Sequence, residues 1–179
     1  MSSPVEHGEN LPPEAADLAG RAIAVLKRAA TGKVSIVTAE SCTGGLLASL
    51  LTDQRGLGKW FDRGFVVYTE KAKTEMLGID PVEIVRHGVV SPEIAGRMAE
   101  QALARSDAGL AVGITGFAGP AGPGDETGLV HLNVCAATGA SISRTCRFGD
   151  VGRDRTRALA AEAALEMLEE ALDGRGNRP

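Results

Sequence analysis

The sequence has few cysteines and no long hydrophobic run. Its three cysteines, Cys42, Cys135 and Cys146, are odd in number and lack the spacing of metal ligands, which favours reduced thiols and no metal site. No segment approaches the ~18 consecutive apolar residues of a membrane-spanning helix. The first residues are polar and acidic, unlike a secretory signal. We therefore expect a cytoplasmic protein that does not associate with membranes.

An excess of basic residues is also missing. Lysine and arginine together number 19 against 23 aspartates and glutamates, a net charge of −4, so we expect no direct nucleic-acid binding. Aromatic residues make up only 3% of the 179 residues, whereas glycine occurs 23 times. A core of small aliphatic side chains with many glycine turns favours an α/β protein over an aromatic-rich β-sandwich.

Helix and strand patterns alternate along the chain without a repeat or a linker. They predict a three-layer α/β/α sandwich with a mixed, largely parallel sheet in one domain, residues 15–172. Residues 1–14 are predicted to be a flexible tail, and residues 173–179 a frayed C-terminus. We predict strands at residues 34–39, 64–69, 109–115, 129–136 and 141–148, of which the apolar strand 109–115 should be buried on both faces. We predict a helix that follows Pro12-Pro13 and ends near Gly32, a helix at residues 46–53, a helix at residues 70–77 capped by Thr69 and stopped by Gly78, and a helix capped by Ser91. A last helix has an apolar stripe from Ala158 to Leu172.

The segment TAESCTGG places a tight turn between a strand and a helix. The backbone N–H groups of Thr43, Gly44 and Gly45 are expected to be unpaired there, which suits an anion such as a phosphate or a developing oxyanion. Ser41 and Cys42 stand where a nucleophile would meet that anion. A helix cap with glycines for the turn explains the same segment equally well.

Two nucleophiles compete in this turn. A helix N-terminus lowers the pKa of a thiol, so Cys42 is chemically suitable. A lone cysteine without a histidine partner is more often a small buried hydrophobe, and we therefore favour Ser41.

A serine hydroxyl needs a base, and no histidine is well placed to provide it. His7 lies in the predicted tail, His131 lies in the middle of a strand, and His87 is interpreted as a turn residue. Tyr68 closes the second predicted strand, and Lys73 lies about one turn into the helix that follows. The end of this strand would lie beside Ser41 if the first two strands are parallel neighbours. Lys73 could act as the base if burial lowers its pKa, and it could equally be an exposed charge on its helix.

A second glycine-rich loop, beginning at Thr115 and Gly116, could form another wall of the same crevice or serve as a structural loop. It lacks the Gly-Lys-Ser/Thr ending of a phosphate-binding P-loop. Arg153, Arg155 and Arg157 open the last helix, where they could attract an anion or form a solvated face.

Five segments together resemble one family. In order they are TAESCTGG, WFDRGFVVYTEKAK, HGVVS, GITGFAGP and FGD. Their combination over about residues 15–172 resembles the C-terminal domain of the competence/damage-inducible CinA proteins, a family that includes nicotinamide-nucleotide amidases. The Tyr-x4-Lys spacing together with TAESCTGG is the most specific part of the match.

The resemblance implies hydrolysis of the carboxamide of nicotinamide mononucleotide, a small pyridine nucleotide, during pyridine-nucleotide salvage. It implies Ser41 as the nucleophile, Lys73 as the base and Tyr68 assisting, no metal or organic cofactor, and a homodimer. The residues that we predict to bind the substrate are Glu40, Thr43, Gly44, Gly45, Thr115 and Gly116.

The sequence departs from the family pattern at two places. Residues 125–129 read DETGL where relatives usually carry a lysine followed by Pro-Val-Gly, and Val151-Gly152 separates FGD from Arg153. Both changes bear on substrate affinity. The alternative function is a non-catalytic nucleotide-binding or interaction module linked to competence or DNA damage.

Overall fold

The computed structural model describes residues 13–120 and 122–176, in which five strands form one sheet between two layers of helices. The strands are β1 (Ile36–Glu40), β2 (Phe61–Val66), β3 (Leu110–Gly116), β4 (Leu129–Ala136) and β5 (Ser141–Arg147). The helices are α1 (Pro13–Gly32), α2 (Leu46–Thr52), α3 (Glu70–Leu77), α4 (Pro81–His87), α5 (Pro92–Ala104) and α6 (Arg153–Gly176), and a 3-10 turn, Gly58–Trp60, precedes β2.

The sheet has the strand order β2-β1-β3-β4-β5. β1 runs parallel to both β2 and β3, whereas β4 and β5 are antiparallel to their neighbours. Glu40, the last residue of β1, is paired with Val66 of β2 and Ile114 of β3, so the carboxyl ends of the three parallel strands lie at one edge of the sheet. The prediction of a mixed sheet in an α/β protein is confirmed, and this edge is where such sheets hold ligands.

Each face of the sheet is covered by helices. Leu26 of α1, Leu47 of α2 and Leu165 of α6 pack on one face, and Ile94 and Met98 of α5 pack on the other with α3 and α4. This arrangement confirms the three layers.

Close packing of α5 on the sheet depends on Gly113. A Cβ atom at this position of β3 would lie 2.1 Å from the backbone oxygen of Ala95, so only glycine lets the helix approach so closely.

Local helix signals were read correctly at two helices. The side chain of Thr69 accepts a hydrogen bond from the N–H of Ala72 and begins α3, which ends at Gly78 in a left-handed conformation with φ of 69°. Ser91 caps α5 in the same way, by accepting from the N–H of Ile94.

Two local predictions were wrong. β2 lies at residues 61–66 rather than 64–69, because the chain leaves the sheet at its end so that Thr69 can cap α3. α4 was not predicted, although Asp80 and Pro81 are a cap and a first-turn proline like those of α5. His87 consequently ends a helix and is not a residue of a turn or loop.

The chain ends differ in part from the predicted boundaries. Residues 1–12 of the predicted tail lie outside the described residues, and α1 already begins at Pro13. α6 continues to Gly176, past the predicted domain end at residue 172, and residues 177–179 lie outside the described part. None of the helices in the described ranges is both long and apolar enough to cross a membrane.

Candidate active site

Ser41 is the first residue after β1, at the edge where the parallel strands end. Its N–H donates to the oxygen of Ile114 at 3.0 Å, which extends the pairing of β1 with β3. The chain then turns through Gly44 and Gly45, whose φ angles of 61° and 89° are in the left-handed region that favours glycine. The two glycines therefore allow the tight turn that leads from Ser41 into α2.

One predicted feature of this turn is wrong. The N–H of Gly44 is not unpaired, because it donates to the oxygen of Ser41 at 3.1 Å. The turn closes on itself through this bond, so Gly44 cannot offer its N–H to a ligand without breaking it.

Glu40 holds the turn from inside the protein. Its side chain is buried, and Oε2 accepts hydrogen bonds from Thr43 Oγ1 at 2.7 Å and from the N–H of Leu47 at 3.1 Å. Oε1 accepts from the N–H of Ala48 at 2.8 Å. The carboxylate thus satisfies the free N–H groups at the start of α2, where Gly45 provides no side-chain cap. The contacts of Glu40 in this structure are thus structural ones, and its contact with a substrate stays a prediction.

Lys73 is a buried residue of α3 and its amine faces Ser41. None of its surface is exposed. Nζ lies 3.2 Å from Ser41 Oγ and donates to the backbone oxygen of Val67 at 3.0 Å. The interpretation of Lys73 as an exposed helix charge is therefore wrong. The exposed lysine of this helix is Lys71, which pairs with Glu75 at 3.6 Å.

The environment of Lys73 brings the pKa of its amine closer to neutral pH. Burial lowers the pKa of Lys73 from 10.5 to about 8, and the coulombic effects of Cys42 and Glu70 oppose this shift only in part. An unprotonated amine beside a hydroxyl is the arrangement that a general base requires.

Cys42 is poorly suited to be the nucleophile. Its side chain is buried, and burial raises the pKa of the thiol to about 12. The thiol therefore stays protonated at neutral pH and is weakly nucleophilic, which favours Ser41 in the competition between the two residues.

Tyr68 lies apart from the serine and lysine. Its side chain is 59% exposed, and its hydroxyl is hydrogen-bonded to Nη2 of Arg153 at 2.9 Å. Tyr68 follows β2 rather than closing it, so the ring stands at the surface of the edge where Lys73 is buried. The structure thus brings Ser41 and Lys73 together and gives the phenol a different partner.

Two arginines of α6 contact the residues of this edge. Besides the contact of Arg153 with Tyr68, Nε and Nη2 of Arg157 donate to the backbone oxygen of Thr43 at 3.1 and 2.9 Å. The i, i+4 spacing of the arginines on one helix face was the available signal. The sequence did not show which surface that face meets. Arg157 is half-buried against the backbone of Thr43, so a solvated face is the wrong interpretation for Arg157, whereas Arg153 is exposed.

The two residues predicted in the second glycine-rich loop make contacts within the protein, and their contact with a substrate stays a prediction. Thr115 is buried, and its hydroxyl donates to the backbone oxygen of Val89 at 3.0 Å. A Cβ atom at Gly116 would lie 2.6 Å from the backbone oxygen of Leu129, so this glycine serves the approach of β3 to β4. Both residues are therefore engaged in contacts within the protein.

Other polar residues singled out in the sequence have structural contacts. His131 Nδ1 is 2.9 Å from the hydroxyl of Thr145 across the β4–β5 pair. In residues 125–129, the segment that differs from the family pattern, Glu126 forms an ion pair with Arg147 at 3.2 Å. Over residues 13–120 and 122–176, no three histidine, cysteine, aspartate or glutamate residues are grouped as metal ligands would be.

Comparison with known proteins matches this chain to one family. The model of the CinA C-terminal domain matches residues 19–172. The nicotinamide-nucleotide amidohydrolase PncC of Escherichia coli is 42% identical over 137 residues, which cover 75% of this chain and 82% of that protein. A CinA-like protein of Mycolicibacterium vanbaalenii is 44% identical over 144 residues, 79% of this chain but 34% of that protein. The chain thus spans about a third of the length of this longer relative.

The fold is also found among solved structures. The competence/damage inducible protein CihA from Agrobacterium tumefaciens superposes with a TM-score of 0.85 at 39% identity, covering 93% of this chain and 99% of that one. A CinA superfamily protein from Escherichia coli superposes with a TM-score of 0.81 at 29% identity, covering 92% and 94% of the two chains.

Proposed function

The chain belongs to the CinA C-terminal domain family, and from that premise we propose that it is an amidase acting on nicotinamide mononucleotide. The products are nicotinate mononucleotide and ammonia. The substrate class comes from the name of the E. coli relative, and the chemistry comes from the site of this chain.

The observation that carries the proposal is the contact between Lys73 and Ser41. Nζ lies 3.2 Å from Oγ inside the protein, and burial lowers the pKa of the lysine to about 8. In the neutral state one N–H of Lys73 donates to the oxygen of Val67, and the nitrogen lone pair can accept the proton of the Ser41 hydroxyl. The carbonyl of Val67 thus orients the base.

The reaction proceeds in two acyl-transfer steps. Ser41 Oγ attacks the carboxamide carbon while its proton moves to Lys73 Nζ, and a tetrahedral oxyanion forms. When the C–N bond breaks, the lysine ammonium donates that proton to the leaving nitrogen, which departs as ammonia. Water then attacks the serine ester and gives a proton to Lys73, which returns it to Ser41 Oγ as the ester bond breaks, releasing the carboxylic acid product.

The oxyanion requires hydrogen-bond donors in the Ser41 turn. The N–H of Gly44 is already donated to Ser41, so the proposal assigns this role to the N–H groups of Thr43 and Gly45. The loss of one such donor typically costs ~2.7–4 kcal/mol of transition-state stabilisation. The geometry of the turn therefore matters as much as the base.

Arg153 and Tyr68 are proposed to hold the rest of the substrate. Arg153 is exposed at the same edge and lies close to Gly119 of the second loop. A Cβ atom placed on this glycine would be 3.2 Å from Nη1 of Arg153. A guanidinium at this position suits the phosphate of the nucleotide. The exposed ring of Tyr68, held by its bond to Arg153, can pack against the pyridinium, so Tyr68 assists in binding and orientation.

Ammonia release from purified protein and nicotinamide mononucleotide tests the proposal, with Ser41→Ala as the blank and simple amides as competing substrates. We expect equimolar ammonia and nicotinate mononucleotide from the wild type alone. Nucleotide that is bound but recovered unchanged would overturn the amidase proposal and support the non-catalytic nucleotide-binding module.

Two further expectations are part of the proposal. The enzyme is proposed to work without a metal, so turnover should persist in the presence of EDTA. It is also proposed to be a cytoplasmic homodimer, and light scattering would measure the mass of the dimer.

A further inference from the structure

Thr43, two residues after Ser41, is held at both ends by residues that are distant from one another in sequence. Its hydroxyl donates to Glu40 Oε2 at 2.7 Å. Its backbone oxygen accepts from Nε and Nη2 of Arg157 at 3.1 and 2.9 Å, across 114 positions of sequence. The same oxygen accepts from the N–H of Leu46 at 3.2 Å.

The turn needs such external support because two glycines follow Thr43. Glycine has the largest choice of backbone conformations, and the left-handed conformations of Gly44 and Gly45 are not imposed by side chains of their own. A two-pronged, charge-assisted contact from a helix restrains the Thr43–Gly44 peptide more strongly than a neutral bond does. Any N–H groups of this turn that bind an oxyanion must be held in place before the reaction begins.

We propose that Arg157 is a positioning residue for the Ser41 nucleophile. It holds the peptide after Thr43 in the orientation that directs the turn toward the reacting carbonyl, and it does not itself touch the substrate. The kinetic test of this proposal rests on the amidase function. The restraint of the turn backbone by Arg157 can be measured without turnover.

Arg157 is thereby distinguished from Arg153, one helical turn earlier. Arg153 contacts the exposed Tyr68, whereas Arg157 contacts the backbone of the nucleophile turn. Arg157 also lies 3.7 Å from Asp154, but that aspartate is almost fully exposed and the pair contributes little. Loss of Arg157 should therefore affect the rate of the chemical step, and loss of Arg153 the binding of substrate.

The kinetic test compares Arg157→Ala with Arg155→Ala, an exposed arginine of the same helix turn. We expect kcat of Arg157→Ala to fall roughly 10- to 100-fold with KM within about threefold, because a small misplacement of reacting groups costs rate. Arg155→Ala should retain wild-type values. Free guanidinium at millimolar concentration should restore part of the lost rate in Arg157→Ala alone, by rebinding to the Thr43 oxygen.

Three kinetic outcomes would overturn the proposal: a rise in KM with kcat unchanged, an equal loss in both variants, or no rescue by guanidinium in a variant that melts at the wild-type temperature. If Arg157→Ala does not fold, Arg157→Lys replaces it, and we expect a smaller fall in kcat because one ammonium makes a single contact where the guanidinium makes two.

Hydrogen exchange separates this proposal from the amidase function. We expect faster exchange of backbone amides at residues 41–45 in Arg157→Ala than in wild type or Arg155→Ala, whether or not the wild type releases ammonia. Unchanged exchange in this segment would overturn the positioning role. A wild type without turnover but with this exchange difference would overturn the amidase proposal alone.

Discussion

Nζ of Lys73 lies 3.2 Å from Oγ of Ser41, although 32 positions separate the two residues in sequence. The contact forms because β1 and β2 are parallel neighbours, so that the residue after β1 and the first turns of α3 meet at the same edge of the sheet. Neither side chain is chemically unusual by itself. Their burial together is what makes the amine a candidate base and the hydroxyl a candidate nucleophile.

The two candidate nucleophiles are separated by paired substitutions. We expect Ser41→Ala to lower kcat for ammonia release at least about a thousandfold, as the loss of a covalent nucleophile does elsewhere. Cys42→Ala should stay within about threefold of wild type, because its thiol is buried and protonated. A full loss of activity in Cys42→Ala with an active Ser41→Ala would reverse the assignment.

The rate should depend on pH through Lys73. Because the neutral amine is the active form and its pKa is about 8, kcat/KM should rise roughly tenfold per pH unit below pH 8 and level off above it. Between pH 6 and pH 8 the increase should be about 50-fold, measured by ammonia release at several pH values. A flat profile over this range would contradict a lysine base with this pKa.

The stability of the protein should depend on pH through the same residue, and the sign follows from the lowered pKa. Between pH 8 and 10.5 the unfolded chain retains a proton on Lys73 that the folded chain has lost, so this group makes the folded state more stable as pH rises. Below pH 8 both states are protonated and the full cost of burying the charge remains.

Lys73→Met removes this cost, so the variant should gain most over wild type at low pH. Its free energy of unfolding relative to that of wild type should decrease by on the order of 1–3 kcal/mol as the pH is raised from 7 to 10.5. Thermal unfolding at several pH values measures the difference. Lys71→Met, on the exposed side of α3, should show almost no such trend, and a Lys73→Met difference independent of pH would exclude the buried ionisation.

Arg153 should determine the preference for a phosphorylated substrate. We expect Arg153→Gln to raise KM for nicotinamide mononucleotide about tenfold or more, because a hydrogen bond to a charged group contributes about 1.5–3 kcal/mol. The value of kcat should change little. Arg155→Gln is the matched control.

Nicotinamide riboside, which lacks the phosphate, provides the second comparison. Its KM should be nearly the same for Arg153→Gln and wild type if the guanidinium binds the phosphate. An equal rise in KM for both substrates would show that Arg153 acts through Tyr68 and the shape of the crevice.

Much of the fold could be predicted because its signals are local. Thr69 and Ser91 were identified as caps from the residues beside them, and the uniformly apolar β3 was recognised as buried on both faces. The end of β2 was misplaced because the residues after Val66 remain apolar and β-branched while the cap at Thr69 already requires the chain to leave the sheet. Local propensity does not decide whether these residues continue the strand or leave the sheet to reach the cap.

The sequence by itself determined the tight glycine turn after Ser41, the alternation of helices and strands, and the presence of a serine, a tyrosine and a lysine at suitable spacing. Only the tertiary structure decided which of them meet: Lys73 is buried against Ser41, Tyr68 is left at the surface with Arg153, and Glu40 supports α2 from within. The physical reason is that burial and partner choice depend on how α3 and α6 pack against the sheet edge. Spacing along the chain does not specify this packing, and desolvation then sets the charge of the lysine.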